Sequence, residues 1–152
     1  MNRKLCSFLV VGALAGLQLA ALSSPAHAGN PCFLDEATKV GTNGHDVLRG
    51  TPGRDVIKGG AGNDTIFGFK RGDVLCGGPG NDNIYGGPGP DYLNGDTVPT
   101  GAGNDNLYGG PGYDTLNTYD YLEDNDWADG GADGGDCFID NHDEYFNCLL
   151  YT

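Results

Sequence analysis

Serine is nearly missing from this chain of 152 residues: Ser7, Ser23 and Ser24 are all it has. Beyond residue 24 no serine nucleophile is available. Bases are scarce too, with 8 Lys and Arg against 21 Asp and Glu and a formal net charge of −13. Nucleic acid and anionic lipid both need a basic patch, so this balance argues against them. A cationic partner such as a metal ion is favoured instead. His45 and His142 have no partner at zinc-ligand spacing and no C-x-x-C pair exists, which disfavours zinc. No apolar run past Leu22 is long enough for a membrane-spanning helix.

The one long apolar run, Leu5 to Leu22, follows Arg3 and Lys4 and precedes the small-x-small triplet Ala26-His27-Ala28. Residues 1–28 therefore have the layout of a secretory signal peptide, with a mature chain starting at Gly29. Gly12, Gly16, Gln18 and the ending Ser23-Ser24-Pro25 favour a signal over a membrane anchor. The segment holds two bases and no acid, so the remaining 124 residues carry −15. Four cysteines stay behind: Cys32, Cys76, Cys137 and Cys148. An even count in an exported chain implies two disulfides, for which three connectivities exist.

Glycine is what the chain has in excess, 28 residues, with 8 Pro. Together they make about a quarter of the chain, a composition of low complexity unless it is periodic. It is periodic. In steps of nine from Gly41 the chain reads GTNGHDVLR, GTPGRDVIK, GGAGNDTIF, GFKRGDVLC, GGPGNDNIY and GGPGPDYLN. After a five-residue break around Asp96 to Thr100 come TGAGNDNLY and GGPGYDTLN. The sixth position is always Asp: Asp46, Asp55, Asp64, Asp73, Asp82, Asp91, Asp105 and Asp114. The eighth is always Leu or Ile: Leu48, Ile57, Ile66, Leu75, Ile84, Leu93, Leu107 and Leu116. A flexible Gly-rich linker would show no such apolar phase.

The pattern resembles the RTX, or hemolysin-type, calcium-binding nonapeptide G-G-x-G-x-D-x-U-x, a parallel β-helix signature. The best copies begin at Gly59 and Gly77, and the resemblance covers 41–117. With the signal and the cysteines, it resembles the small secreted calcium-binding proteins of high-GC Gram-positive bacteria. The resemblance implies an all-β parallel β-roll, or solenoid, that binds calcium between stacked turns through the eight aspartates above. Six residues form each turn, where glycine allows positive φ and close approach of carbonyls. Calcium takes six to eight oxygen ligands, which carboxylates and carbonyls together can supply. Three residues, x-U-x, form a short strand with its central side chain inward. Two nonapeptides complete an 18-residue coil, so Asp46, Asp64, Asp82 and Asp105 stack on one edge and Asp55, Asp73, Asp91 and Asp114 on the other. The fourth turn, with Lys70 and with Arg71 where Gly is expected, is the weakest copy.

A solenoid needs both ends covered. Residues 29–40 are expected to be an N-terminal cap. Residues 118–152, with ten acids, no base and several aromatics, are expected to be a C-terminal cap. Two degenerate repeats show in that tail, one around Asn125-Asp126 and one in Gly134-Gly135-Asp136-Cys137-Phe138, read as G-x-D-x-U. Cys76 ends a repeat on the outside of a sheet and Cys32 lies nine residues before the repeats. The expected disulfides are thus Cys32–Cys76 and Cys137–Cys148, one stapling each end.

The expected function is a secreted, extracellular calcium-binding module without catalysis. An adhesion or glycan-binding protein is the alternative, suggested by Arg49, Phe67, Tyr85 and Tyr108 at the outward ends of alternate repeats. These should form an aromatic ladder, with the tail packed over it. Paired carboxylates for glycoside hydrolysis are the remaining enzymatic option, but calcium ligation already accounts for the aspartates.

Overall fold

The computed structural model describes residues 31–96, 103–119, 125–139 and 142–151. The signal-like segment 1–28 and most of the five-residue break lie outside the described residues. The described residues open with one helical turn, α1 (Pro31–Leu34), and then run as strands of two to four residues. These are β1 (Lys39–Val40), β2 (Val47–Arg49), β3 (Val56–Lys58), β4 (Thr65–Phe67), β5 (Val74–Cys76), β6 (Asn83–Tyr85) and β7 (Tyr92–Asn94). They continue as β8 (Asn106–Tyr108), β9 (Asp114–Asn117), β10 (Trp127–Asp129), β11 (Gly135–Phe138), β12 (Glu144–Phe146) and β13 (Cys148–Tyr151).

Successive strands alternate between two parallel sheets, one in the order β1-β3-β5-β7-β9-β11-β13 and the other β12-β10-β8-β6-β4-β2. This is an all-β parallel solenoid. Its register puts each eighth-position residue on its equivalent one coil away: Leu48 on Ile66, Ile66 on Ile84 and Ile84 on Leu107. The eight eighth-position residues form one apolar column, all at 0 % exposure except Leu48 at 9 %. Ala128 and Cys137 continue the column with smaller side chains.

The winding runs on past Asn117. Trp127, Ala128 and Asp129 pair with Asn106, Leu107 and Tyr108, which is the alignment expected for the first degenerate repeat. The second sits one residue off its expected phase. Gly135 pairs with Asp114 and Cys137 with Leu116, so Cys137 is the inward residue and Phe138 lies outside, 40 % exposed. A slip of one residue turns every strand side chain to the other face. Here it places an apolar sulfur in the core column and frees Asp136 to accept a hydrogen bond from the Tyr113 hydroxyl at 2.8 Å.

The disulfides join Cys32 to Cys76 and Cys137 to Cys148, with Cα atoms 6.0 and 5.5 Å apart. The first carries α1 back onto the outer face of the seven-stranded sheet, where Cys32, Val56, Val74 and Cys76 form a second apolar cluster. Cys32 and Cys76 are 44 residues apart in sequence, and closing a loop of that length stabilises by about 4 kcal/mol in the chain-entropy account.

Candidate metal centre

The turns position the aspartates. In the fifth repeat Gly78 and Gly80 have φ of 107° and 133°, and a Cβ on either would stand 2.1 and 2.3 Å from the carbonyl oxygens of Gly60 and Gly62. Only glycine satisfies both demands. Their trace is repeated in the fourth turn by Phe69 (φ 84°) and Arg71 (φ 71°), which donate across the coil to the carbonyls of Gly86 and Pro88 at 3.0 and 2.9 Å. The departure in sequence is therefore absorbed as backbone strain, about 1–2 kcal/mol per residue, without a change of turn shape.

Each aspartate from Asp64 to Asp114 divides its two oxygens between two tasks. Oδ1 accepts the backbone N–H of the aspartate one coil earlier: Asp46 to Asp64 at 2.8 Å, Asp64 to Asp82 at 2.7 Å and Asp82 to Asp105 at 2.8 Å. On the other edge Asp55 donates to Asp73, Asp73 to Asp91 and Asp91 to Asp114, at 2.7, 2.7 and 2.9 Å. The sixth-position aspartates are thus stacked in the two rows expected from the repeat. Oδ2 of Asp64, Asp73, Asp82, Asp91, Asp105 and Asp114 is buried with no hydrogen-bond partner. Six unanswered carboxylate oxygens are a large cost in a protein interior.

Carbonyls converge on the same places. At Gly59, Gly68, Gly77 and Gly86 the Cβ position lies 2.4, 2.6, 2.1 and 2.5 Å from the turn's own Asp Oδ2. It lies 2.6, 2.7, 2.7 and 2.7 Å from the carbonyl oxygen of the first glycine one coil on. Among the described residues no three His, Cys, Asp or Glu side chains gather around one point. A cation here must therefore draw much of its shell from backbone carbonyls, which is oxygen chemistry suited to calcium. The donor set fits the metal: carboxylate oxygens with no other partner, next to carbonyls in glycine turns.

Burial drives these carboxyls away from ionisation. It raises Asp82 and Asp91 to about 7, Asp105 to about 9 and Asp114 to about 6, and it also raises Asp64 and Asp73. The N–H bonds along the row oppose the shift and neighbouring carboxylates add to it, Asp96 acting on both Asp82 and Asp105. Asp46 moves the opposite way, held below the usual carboxylate range by hydrogen bonds from Thr42.

Three features were not anticipated from the sequence. The row on the first edge extends to Asp126, which accepts the Asp105 N–H at 2.7 Å, and on to Asp143 at 3.4 Å. The break between repeats falls after Gly95, which keeps its first-position place beside Asp105 Oδ2. Thr42 and Thr51 hold Oδ2 of Asp46 and Asp55. The second positions were legible as Thr in the first two repeats and Gly in most others.

The aromatic ladder exists. The Arg49 guanidinium sits 4.8 Å from the Phe67 ring centre, Phe67 stacks on Tyr85 at 5.0 Å and Tyr85 on Tyr108 at 4.9 Å. The described tail residues do not cover it. β10 and β12 extend the same sheet instead, because their strands satisfy the open hydrogen bonds of β8 and then of β10.

Stacked aspartates on both edges of a parallel coil, closed by glycine turns that aim carbonyls beside them, define a β-roll of nonapeptide repeats. The sequence matches the family described as RTX calcium-binding nonapeptide repeat (4 copies) over residues 40–68, 71–98 and 77–116. The chain is an RTX calcium-binding nonapeptide-repeat protein. No curated protein and no solved structure matches it significantly.

Proposed function

We propose that this is a secreted, extracellular calcium-binding protein without catalysis, whose β-roll is stabilised by calcium held between stacked turns. The observation that carries this is the set of six buried Oδ2 atoms with no hydrogen-bond partner. Asp64, Asp73, Asp82, Asp91, Asp105 and Asp114 are the ligand carboxylates, completed by turn carbonyls. Calcium supplies positive charge to rows of buried carboxylates and adds its binding free energy to folding. Two disulfides require an oxidising compartment, which agrees with export by residues 1–28. All four cysteines of the mature chain are consumed in those bonds, leaving no thiol for nucleophilic chemistry.

Glycan adhesion is less well supported. The rings of Phe67, Tyr85 and Tyr108 lie within 10° of parallel and cover one another's faces, so the ladder offers mostly ring edges to solvent.

Calcium titration of the purified protein by circular dichroism and calorimetry tests the proposal. Chelator should abolish much of the β signal with the disulfides intact. An unchanged spectrum and melting temperature would overturn it.

A further inference from the structure

The first two turns solve the carboxylate problem differently from the rest. In turn 41–46 the Thr42 N–H and hydroxyl both donate to Asp46 Oδ2, at 2.6 and 2.8 Å. In turn 50–55 Thr51 does the same for Asp55 Oδ2, at 2.6 and 2.9 Å. Each threonine Oγ1 in turn accepts the N–H of the fourth-position glycine, Gly44 at 3.2 Å and Gly53 at 3.1 Å. The equivalent N–H groups elsewhere point across the coil: Gly60 donates to Gly77 O at 3.1 Å and Gly62 to Pro79 O at 2.8 Å. Those turns leave their Oδ2 unanswered.

The cause is local. The later route requires positive φ at the second and fourth positions, as Gly60 (114°) and Gly62 (115°) show. A β-branched residue is strongly disfavoured there. Thr42 and Thr51 keep negative φ, and the turn folds inward onto its own aspartate. At the far end of the first edge a threonine hydroxyl also meets a row carboxylate, but from a neighbouring coil and without its amide: Thr118 donates to Asp143 Oδ2 at 2.7 Å, while its N–H goes to Phe138 O.

We propose that Thr42 and Thr51 replace calcium at Asp46 and Asp55, making the first coil a metal-independent end cap, and that the second residue of each turn decides whether its aspartate needs a cation. A hydroxyl and an amide neutralise Oδ2 from within the turn. Glycine at that place leaves the oxygen to a metal. The inference rests on the calcium reading of the later turns.

Isothermal calcium titration of variants tests it, with circular dichroism in saturating calcium as the check on folding. Asp46→Asn should bind as many calcium ions as the wild type, and Asp82→Asn at least one fewer. Thr42→Gly, which restores G-G-x-G-x-D in the first repeat, should gain one. Equal losses in Asp46→Asn and Asp82→Asn would overturn the proposal, as would a folded Thr42→Gly with no gain. Should Thr42→Gly not fold, hydrogen exchange on the wild type in chelator decides. The amides of Thr42 and Thr51 should stay protected while those of Gly78 and Gly87 lose protection, and equal loss overturns the proposal. A wild type that binds no calcium would sink the calcium reading itself, a result distinct from all of these.

Discussion

The first coil and the coils after it have the same strands, the same inward apolar residue and the same aspartate, yet their turns have opposite needs. Turns 41–46 and 50–55 are complete in themselves, with every Oδ2 bond made by a threonine. The turns of Asp64 through Asp114 bury an oxygen that no described residue hydrogen-bonds. One repeat motif thus encodes either a turn that answers its own carboxylate or one that leaves it open, through a single backbone choice at its second position; we assign the open kind to calcium. A solenoid gains from placing the self-sufficient kind at its end, where no earlier coil stacks on the turn.

The largest expected effect comes from removing calcium. Chelator should strip amide protection from the coils of Ile66 through Leu116 while α1 and the first coil, tied by Cys32–Cys76, retain it; hydrogen exchange read by mass spectrometry checks this. Uniform loss across both regions would erase the comparison.

Acidity should act with opposite sign with and without the metal. Asp82, Asp91, Asp105 and Asp114 have folded pKa values raised to between about 6 and about 9. Without metal, their contribution is therefore fully favourable below the unfolded value near 4 and is lost as pH rises through that window. In chelator the melting temperature should climb as pH falls from 9 to 5. In calcium it should fall over the same range, because protons compete for the ligand oxygens. Asp46, whose pKa is lowered, contributes in the other direction, losing its part only at acidic pH. Thermal melts at pH 5, 7 and 9 in both conditions would show parallel slopes if the later carboxylates were not metal ligands.

Core truncation should be graded along the column. Ile84→Ala, at full burial between Ile66 and Leu107, should cost about 2–5 kcal/mol in calcium. Leu48→Ala, at the partly exposed end, should cost less. Chemical denaturation measures both, and a larger cost at Leu48 would make the first coil the centre of stability rather than its cap.

The smallest effect is a gain. Arg71 stands at φ 71° in a turn whose equivalents are glycine. Arg71→Gly should relieve strain worth about 1–2 kcal/mol, partly offset by the greater freedom of unfolded glycine. A net gain of about 0.5–1 kcal/mol in the denaturation midpoint is expected, together with tighter calcium binding at Asp73. Destabilisation would mean that the arginine side chain holds the turn.

Much of this was legible because the nonapeptide states its own geometry. Aspartate at six and Leu or Ile at eight fixed which side chains stack, and the coil length of 18 fixed which turns meet. The echo at Asn125-Asp126 aligned correctly because its Gly130-Gly131 follows at the same spacing as Gly109-Gly110 after Asn104-Asp105. The tail repeat at 134–138 was misphased because Asp136 resembles a turn aspartate. In fact its strand is anchored by Cys137 packing inward against the core. The tail is expected from sequence to lie over Phe67, Tyr85 and Tyr108; its described strands instead take the open edges of β8 and β9, which offer backbone partners.

The amino-acid sequence by itself determined the solenoid, its inward column and its two rows of aspartates, because period-nine patterning is local and each repeat carries the whole instruction. Only the tertiary structure decided which carboxylates are answered from within the chain. That depends on whether a turn's N–H groups point across to the next coil or back to their own aspartate, and the choice is made by φ at the second position under the packing of neighbouring coils.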